Sequence, residues 1–252
     1  TKTQARWEQF LAMAHFTPSE LNVAGMFGAL KHYDFEWENE RYVIDCIENA
    51  PGACLAQGQY FYAHNGVMIA PALGDHVIDG GAFLGDTALV FSNAVGVSGK
   101  VHSFDPVENN LLVCFENIKQ FQHKNVTVYP CGLSNHNVDA PPIQLSSYAP
   151  GFSCTNKVDI PLRSIDFLIS IGEIERVDFI KLDVEGSELE ALQGAKNCID
   201  TFRPKLAISA YHKPNDLFEL MAYLQQTHPF YQFHLEHYSN HNEETVLYCL
   251  AV

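Results

Sequence analysis

Basic residues are scarce. The 252-residue chain carries 15 Lys and Arg against 30 Asp and Glu, a formal net charge of -15, and a field of that sign opposes approach to phosphate backbones and to anionic lipid surfaces. Neither a nucleic acid nor a membrane is an expected partner. Long apolar runs are missing too: no stretch reaches the roughly 18 residues that a membrane-spanning helix needs, and the first residues lack the basic-then-apolar order of a signal peptide. The chain begins at Thr1, which reads as a processed, trimmed or excised start. Paired cysteines are absent. The seven cysteines, at 46, 54, 114, 131, 154, 198 and 249, are odd in number and form no C-x-x-C pair, so they read as buried thiols of a cytoplasmic protein, not as a disulfide framework or a zinc site. No internal repeat or low-complexity tract is visible. What is present is a composition 47% hydrophobic, enough at this length to bury roughly three quarters of the unfolded surface in one large domain, or in one domain with a cap.

Residues 1 to about 60 show helical spacing, as in Trp7, Phe10, Leu11 and Ala14, then a Pro-Ser-Glu start signal at 18 to 20 leading into Leu21 to Leu30. The spacing predicts a helical N-terminal cap. From Asp75 onward short apolar runs alternate with amphipathic stretches, the pattern of βαβ units on a parallel sheet. Strands are predicted at His76 to Asp79, Lys100 to Asp105, Val126 to Pro130, Val177 to Asp183 and Lys205 to Tyr211. Helices are predicted at about Asp86 to Ala94, Glu108 to Phe121, Ser187 to Cys198 and Asp216 to Gln226. Tyr231 to Tyr238 and Thr245 to Val252 are β-rich runs joined by a connection too short for a parallel crossover, so they form an antiparallel hairpin. The expected fold is α/β: a Rossmann-like sheet of five parallel strands plus that hairpin, spanning 61 to 252 behind the cap. Asn135 to Asp159 is rich in turn chemistry and reads as an insertion placed to cover a substrate.

The chemistry-bearing positions cluster where these strands end. Val77-Ile78-Asp79-Gly80-Gly81-Ala82-Phe83-Leu84-Gly85-Asp86-Thr87 is a buried strand, a glycine turn and a helix start. Gly80, Gly81 and Gly85 let a ligand meet bare backbone, the helix N-terminus offers N–H groups to a carboxylate, and Asp79 is placed to accept from an ammonium. Ala82 breaks the dinucleotide pattern G-x-G-x-x-G, and Phe83 replaces the central glycine of the methyltransferase form. The second strand ends at Asp105-Pro106, 20 residues past Gly85, where a carboxylate accepts from a ribose diol of a dinucleotide or of S-adenosylmethionine; Asn110 faces the same crevice. The third runs into Gly132, Leu133 and Ser134, in reach of an adenine edge. The fourth ends Lys181-Leu182-Asp183-Val184-Glu185-Gly186-Ser187-Glu188; Glu188 reads as a first-turn helix acid, whereas Asp183 and Glu185 stand where such sheets bind ligands.

The order Asp-Gly-Gly-Ala-x-x-Gly-Asp-Thr, Phe-Asp-Pro, Gly-Leu-Ser, Lys-Leu-Asp-Val-Glu-Gly-x-Glu and Arg203-Pro204-Lys205-Leu206 resembles the FkbM methyltransferase family over residues from about 60 to 252. Two departures are Asp105, where many relatives carry Glu, and Ser209-Ala210-Tyr211-His212, where the family often reads Ile-Glu-x-His. The resemblance implies a class I methyltransferase that uses S-adenosyl-L-methionine, releases S-adenosyl-L-homocysteine and methylates a hydroxyl oxygen. Its cofactor residues here would be Asp79, Gly80, Gly81, Phe83, Gly85, Thr87, Asp105, Pro106, Asn110, Gly132, Leu133, Ser134 and Asp183. The acceptor would be a small molecule, carrier-bound or a saccharide.

Methyl transfer is an in-line displacement in which positioning does most of the work, and a hydroxyl nucleophile needs a base. The candidate catalytic residues are His212 and then Glu185. Tyr60, Phe61, Phe83, Tyr148 and Phe152 are candidate aromatic walls. A divalent metal on Asp183, Glu185 and His212 is the lesser alternative, and no metal is expected; His234 and His237 fall on opposite faces of their strand. Two rival readings are an NAD-dependent oxidoreductase, opposed by Ala82 and the closing hairpin, and a non-catalytic module that binds S-adenosylmethionine.

Overall fold

The computed structural model describes residues 2–23, 26, 28–143, 160–241 and 243–252. Helix α1 (Lys2–Met13) precedes an antiparallel sheet of β1 (Phe16–Pro18), β2 (Lys31–Trp37) and β3 (Glu40–Cys46). The expected helical cap is thus corrected: the region is helical at α1 and at α2 (Ala50–Gly52), which runs into a π-helical turn, Ala53–Gln57, while the described residues of 21–30 are not helical. The reason is a period of two. Tyr33, Phe35 and Trp37 are buried while Asp34 and Glu36 are exposed, the alternation of a half-buried strand. Glu38 and Asn39, both at positive φ (51° and 70°), form the two-residue turn that suits a twisted hairpin. Phe10 packs edge-on against Phe35 and Trp37, at centroid distances of 5.7 and 6.1 Å.

A small hairpin, β4 (Tyr62–His64) and β5 (Val67–Ile69), leads to β6 (His76–Gly80), α3 (Asp86–Val95), β7 (Lys100–Phe104), α4 (Glu108–Gln120) and β8 (Val126–Tyr129). The chain continues through β9 (Gly132–Leu133), β10 (Leu162–Arg163), α5 (Ile165–Ser170), β11 (Phe179–Leu182), α6 (Glu188–Gln193), α7 (Lys196–Phe202), β12 (Lys205–Ser209), α8 (Asp216–Thr227), β13 (Tyr231–His237) and β14 (Thr245–Ala251). Seven strands form the main sheet in the order β13-β14-β12-β11-β6-β7-β8. The five expected parallel strands are there, and β14 runs antiparallel to both β12 and β13. Alternate side chains feed two apolar cores. Val77 and Phe179 join Phe10, Tyr33 and Trp37 on one side, and Ile78 and Ile180 join Leu192 and Leu206 on the other.

The single helix expected over Ser187 to Cys198 is broken into α6 and α7 at Gly194, where a Cβ would lie 2.0 Å from the carbonyl oxygen of Ser134. Close backbone approach decides the break. Of the expected insertion, residues 135–143 return to the body: Val138 pairs with Leu162, Ile143 with Val107, and Ile143 is buried. Residues 144–159, with Tyr148 and Phe152, lie outside the described residues. Among the described residues no helix is long and apolar enough to cross a membrane, and the six described cysteines are buried free thiols.

Candidate active site

A cavity of about 720 Å³ opens at the carboxyl ends of β6, β7 and β11 and reaches under the π-helical turn. Gly81, Phe83, Thr87, Asp105, Pro106, Asn110, Gly132, Leu133, Ser134, Asp183 and Glu185 all line it. At one end, the buried Asp105 accepts hydrogen bonds from the N–H of Phe83 (3.0 Å) and of Val107 (2.8 Å) and from Asn110 Nδ2 (3.2 and 3.3 Å). Burial pushes its carboxyl up to about 7 against the pull of these donors. The neighbouring turn differs from expectation. The N–H groups of Gly132 and Ser134 donate to the carbonyls of Pro161 (2.8 Å) and Arg163 (3.0 Å), because β9 pairs with β10, and the Ser134 hydroxyl lies 3.2 Å from His136 Nδ1.

Beneath the glycine turn lies a buried charge pair. Asp79 is fully buried, accepts from Thr87 Oγ1 (2.9 and 3.0 Å) and Ser103 Oγ (3.0 Å), and stands 3.3 Å from Lys181 Nζ. Lys181 donates to the carbonyls of Gly80 (3.0 Å) and Gly81 (2.7 Å), so its three N–H groups are committed. Asp79, Gly80 and Gly85 are not among the cavity residues; the carboxylate expected to receive an ammonium instead holds the loop from below. Gly81 is required by sterics: its φ is +80°, and a Cβ would stand 1.8 Å from the carbonyl oxygen of Asp183. Lys181 was legible as a cation in the middle of a buried strand, a placement that burial tolerates only with a partner.

At the other end, Asp183 accepts from Tyr60 Oη (2.8 Å) and Tyr211 Oη (3.3 Å) and lies 3.4 Å from His212 Nε2. Burial works to raise its pKa, and the charges of Lys181 and His212 with the Tyr60 hydrogen bond outweigh it, so the carboxyl stays below its usual range. His212 Nδ1 is 2.9 Å from Glu188 Oε1, and its Nε2 is 3.7 Å from Glu185. Burial disfavours its charge, but the Glu188 hydrogen bond and the charges of Glu188, Asp183 and Glu185 lift its pKa to about 9. His212, the first candidate base, is thus paired with these acids and is not among the residues that line the cavity. Glu185, at φ 55°, does line it. Asp183, Glu188 and His212 bring ligand atoms within 4.8 Å of one another, a set that has Glu188 where Glu185 was expected.

Sequence reasoning missed Gln59, Tyr211 and Glu244, which also line the cavity. Gln59 Nε2 donates to Glu244, and burial with the charge of Asp183 raises the Glu244 pKa. These residues come from the connection before β4 and from the β13–β14 turn, remote in sequence and without a shared motif. Of the expected aromatic walls, Tyr60 and Phe83 line the cavity, while Phe61 packs against Phe91 at a centroid distance of 5.8 Å.

Five parallel strands closed by an antiparallel pair, with a cavity at the carboxyl ends of the middle strands, define the class I fold of S-adenosylmethionine-dependent methyltransferases. The family model of the methyltransferase FkbM domain matches residues 79–234, and the chain belongs to that family. It is similar to the crystal structure of methyltransferase FkbM from Methylobacillus flagellatus KT, with 28% identity and a TM-score of 0.61 over 76% of this chain and 48% of that one. The chain therefore spans about half the length of that relative. In fold it is also similar to precorrin-6Y C5,15-methyltransferase from Geobacter metallireducens GS-15, with 13% identity and a TM-score of 0.50 over 73% and 84% of the two chains. No curated protein sequence matches the chain.

Proposed function

We propose that the protein transfers the methyl group of S-adenosyl-L-methionine to a hydroxyl oxygen of a small molecule, a saccharide or secondary metabolite, free or on a carrier, with S-adenosyl-L-homocysteine as the product. The observation that carries this reading is one continuous cavity joining Asp105 at the end of β7 to Asp183, Glu185, Tyr211 and Glu244 beyond β11. S-adenosylmethionine supplies a methyl group on a sulfonium, and the protein has to hold an oxygen in line with it. Asp105, already set by Phe83, Val107 and Asn110, is the acceptor for a ribose diol. Tyr60 and Tyr211 fix Asp183 beside the acceptor end, and the partly apolar lining excludes water, which favours a step that consumes charge. Glu185 and Glu244 are the cavity carboxylates placed to take the hydroxyl proton; protonated His212 keeps the acids around it in register.

Calorimetric titration with S-adenosylhomocysteine and, separately, NADH tests the reading. The expected result is binding of the first ligand alone, weakened about tenfold or more in Asp105→Ala by loss of charge-assisted hydrogen bonds. Binding of NADH alone, or of neither ligand, would overturn it.

A further inference from the structure

Resting on that reading, the chemical class of the acceptor can be derived from the charges on the cavity wall beyond β11. Asp183 and Glu185 of the loop after β11, Glu190 of α6 and Glu244 of the β13–β14 turn all line the cavity. Asp86 and Asp105, the other acids of the lining, stand at the start of α3 and the end of β7. Behind the wall Glu188, 1% exposed, brings a ligand atom within 4.8 Å of Asp183 and His212. Its Oε2 is buried without a hydrogen-bond partner, and so is Oε2 of Glu190.

The cations at hand do not balance these acids. Lys181 is the sole lysine or arginine among the described residues of the lining, and its N–H groups go to Gly80, Gly81 and Asp79. His136 stands beside Ser134. His212 lies between Glu188 and Asp183, at 2.9 and 3.4 Å, and the half-exposed Lys213 comes no nearer to Glu190 than 4.0 Å. Gln59 donates to Glu244, and Tyr60 and Tyr211 donate to Asp183, but these hydrogen bonds bring no positive charge. The methyl donor closes little of the gap. The ammonium and carboxylate of S-adenosylmethionine cancel, which leaves its sulfonium, and that charge is lost when the methyl group departs. Buried anions without a partner are costly, and a cation among them removes the cost.

We propose that the acceptor is a cationic alcohol, an amino sugar or amino alcohol, whose ammonium lies among Asp183, Glu185, Glu190 and Glu244 while a neighbouring hydroxyl meets the methyl group. The same field rejects anionic acceptors such as hydroxy acids and sugar phosphates.

The test is calorimetry on the wild-type chain saturated with S-adenosylhomocysteine, which carries no sulfonium. The probes are glucosamine, galactosamine and the aminoglycoside kanamycin as cations, glucose and galactose as their neutral counterparts, and glucose 6-phosphate as an anion. At least one amino sugar is expected to bind about tenfold or more tightly than its neutral counterpart, the worth of a charge-assisted hydrogen bond, and glucose 6-phosphate most weakly of all. In Glu190→Gln and Glu244→Gln that preference should shrink to about threefold or less, and rising salt should weaken the cations alone. Equal binding of amino and neutral sugars, tighter binding of the phosphate, or no binding of any cationic probe would each overturn the cationic class and leave the methyltransferase reading in place. Failure of S-adenosylhomocysteine itself to bind would remove that reading instead. The wild-type comparison stands whether or not the variants fold.

Discussion

Lys181 sits fully buried in the central strand β11, directly across from Asp79 of β6. Burial alone would lower its pKa, yet the charges of Asp79, Asp183 and Asp86 raise it, so the cation is kept by its neighbours. Removing one member of such a pair leaves an uncompensated buried charge, about 3–5 kcal/mol. Lys181→Met should lose that much stability in denaturant unfolding, and adding Asp79→Asn should restore part of it. A loss below about 1 kcal/mol would mean that the pair is solvated. His212 makes a second residue-scale prediction. Its folded pKa, about 9, is above the ordinary value, so its stabilising effect is complete below about 6.5 and is lost as pH rises through about 9. The thermal stability gap between wild type and His212→Gln should be widest near pH 6 and close by about pH 10; a gap independent of pH would show that packing, not charge, is at stake. Asp105 titrates at the other end. On the proposed function, ribose hydroxyls would donate to its ionised form, so S-adenosylhomocysteine should bind more weakly as pH falls through about 7. Calorimetry at pH 6 and pH 8 would show the difference, or its absence in Asp105→Asn.

At the scale of elements, one side chain ties three segments together. Asn117 of α4 accepts from the N–H of Asp45 (2.8 Å) and donates to the carbonyls of Asp45 (2.8 Å) and Leu84 (2.7 Å). It joins β3 to the loop that forms the cavity floor. In Asn117→Leu these buried backbone groups lose their partner, which should lower stability by about 2–4 kcal/mol. Because the Leu84 carbonyl belongs to the glycine turn, S-adenosylhomocysteine affinity should fall with it. Urea unfolding and calorimetry measured on one preparation test the coupling; a stability loss with unchanged affinity would show that the turn is held by Lys181 and Asp79 alone.

At the scale of the whole molecule, the N-terminal sheet and the parallel sheet share a core. Phe10, Tyr33, Trp37 and Ile44 fall in one apolar cluster with Val77, Phe91, Phe179 and Val246, so neither part buries its face without the other. Both tryptophans, Trp7 and Trp37, lie in the N-terminal part, and their fluorescence reports that part alone. Far-ultraviolet circular dichroism is dominated by the rest. The two signals should follow one coincident transition in urea; an earlier fluorescence change would show that the N-terminal part unfolds independently.

The order of strands and helices from Asp75 to the end was readable in the sequence, because local hydrophobic period fixes which residues face a core. So were Asp105, Asp183, Glu185 and the glycine turn, since a strand end, a tight turn and a helix start each leave a local signature. The β2–β3 hairpin carried its period of two as well, but the stronger helical spacing before it masked the change. Partnership was not readable. Whether Asp79 faces a ligand or a lysine, whether His212 is a base or a bound cation, and whether Gln59 meets Glu244 across 185 residues of chain depends on distances between segments far apart in sequence. Those distances exist only once the sheet has closed, and the pKa of a buried group follows the charges that closure brings beside it.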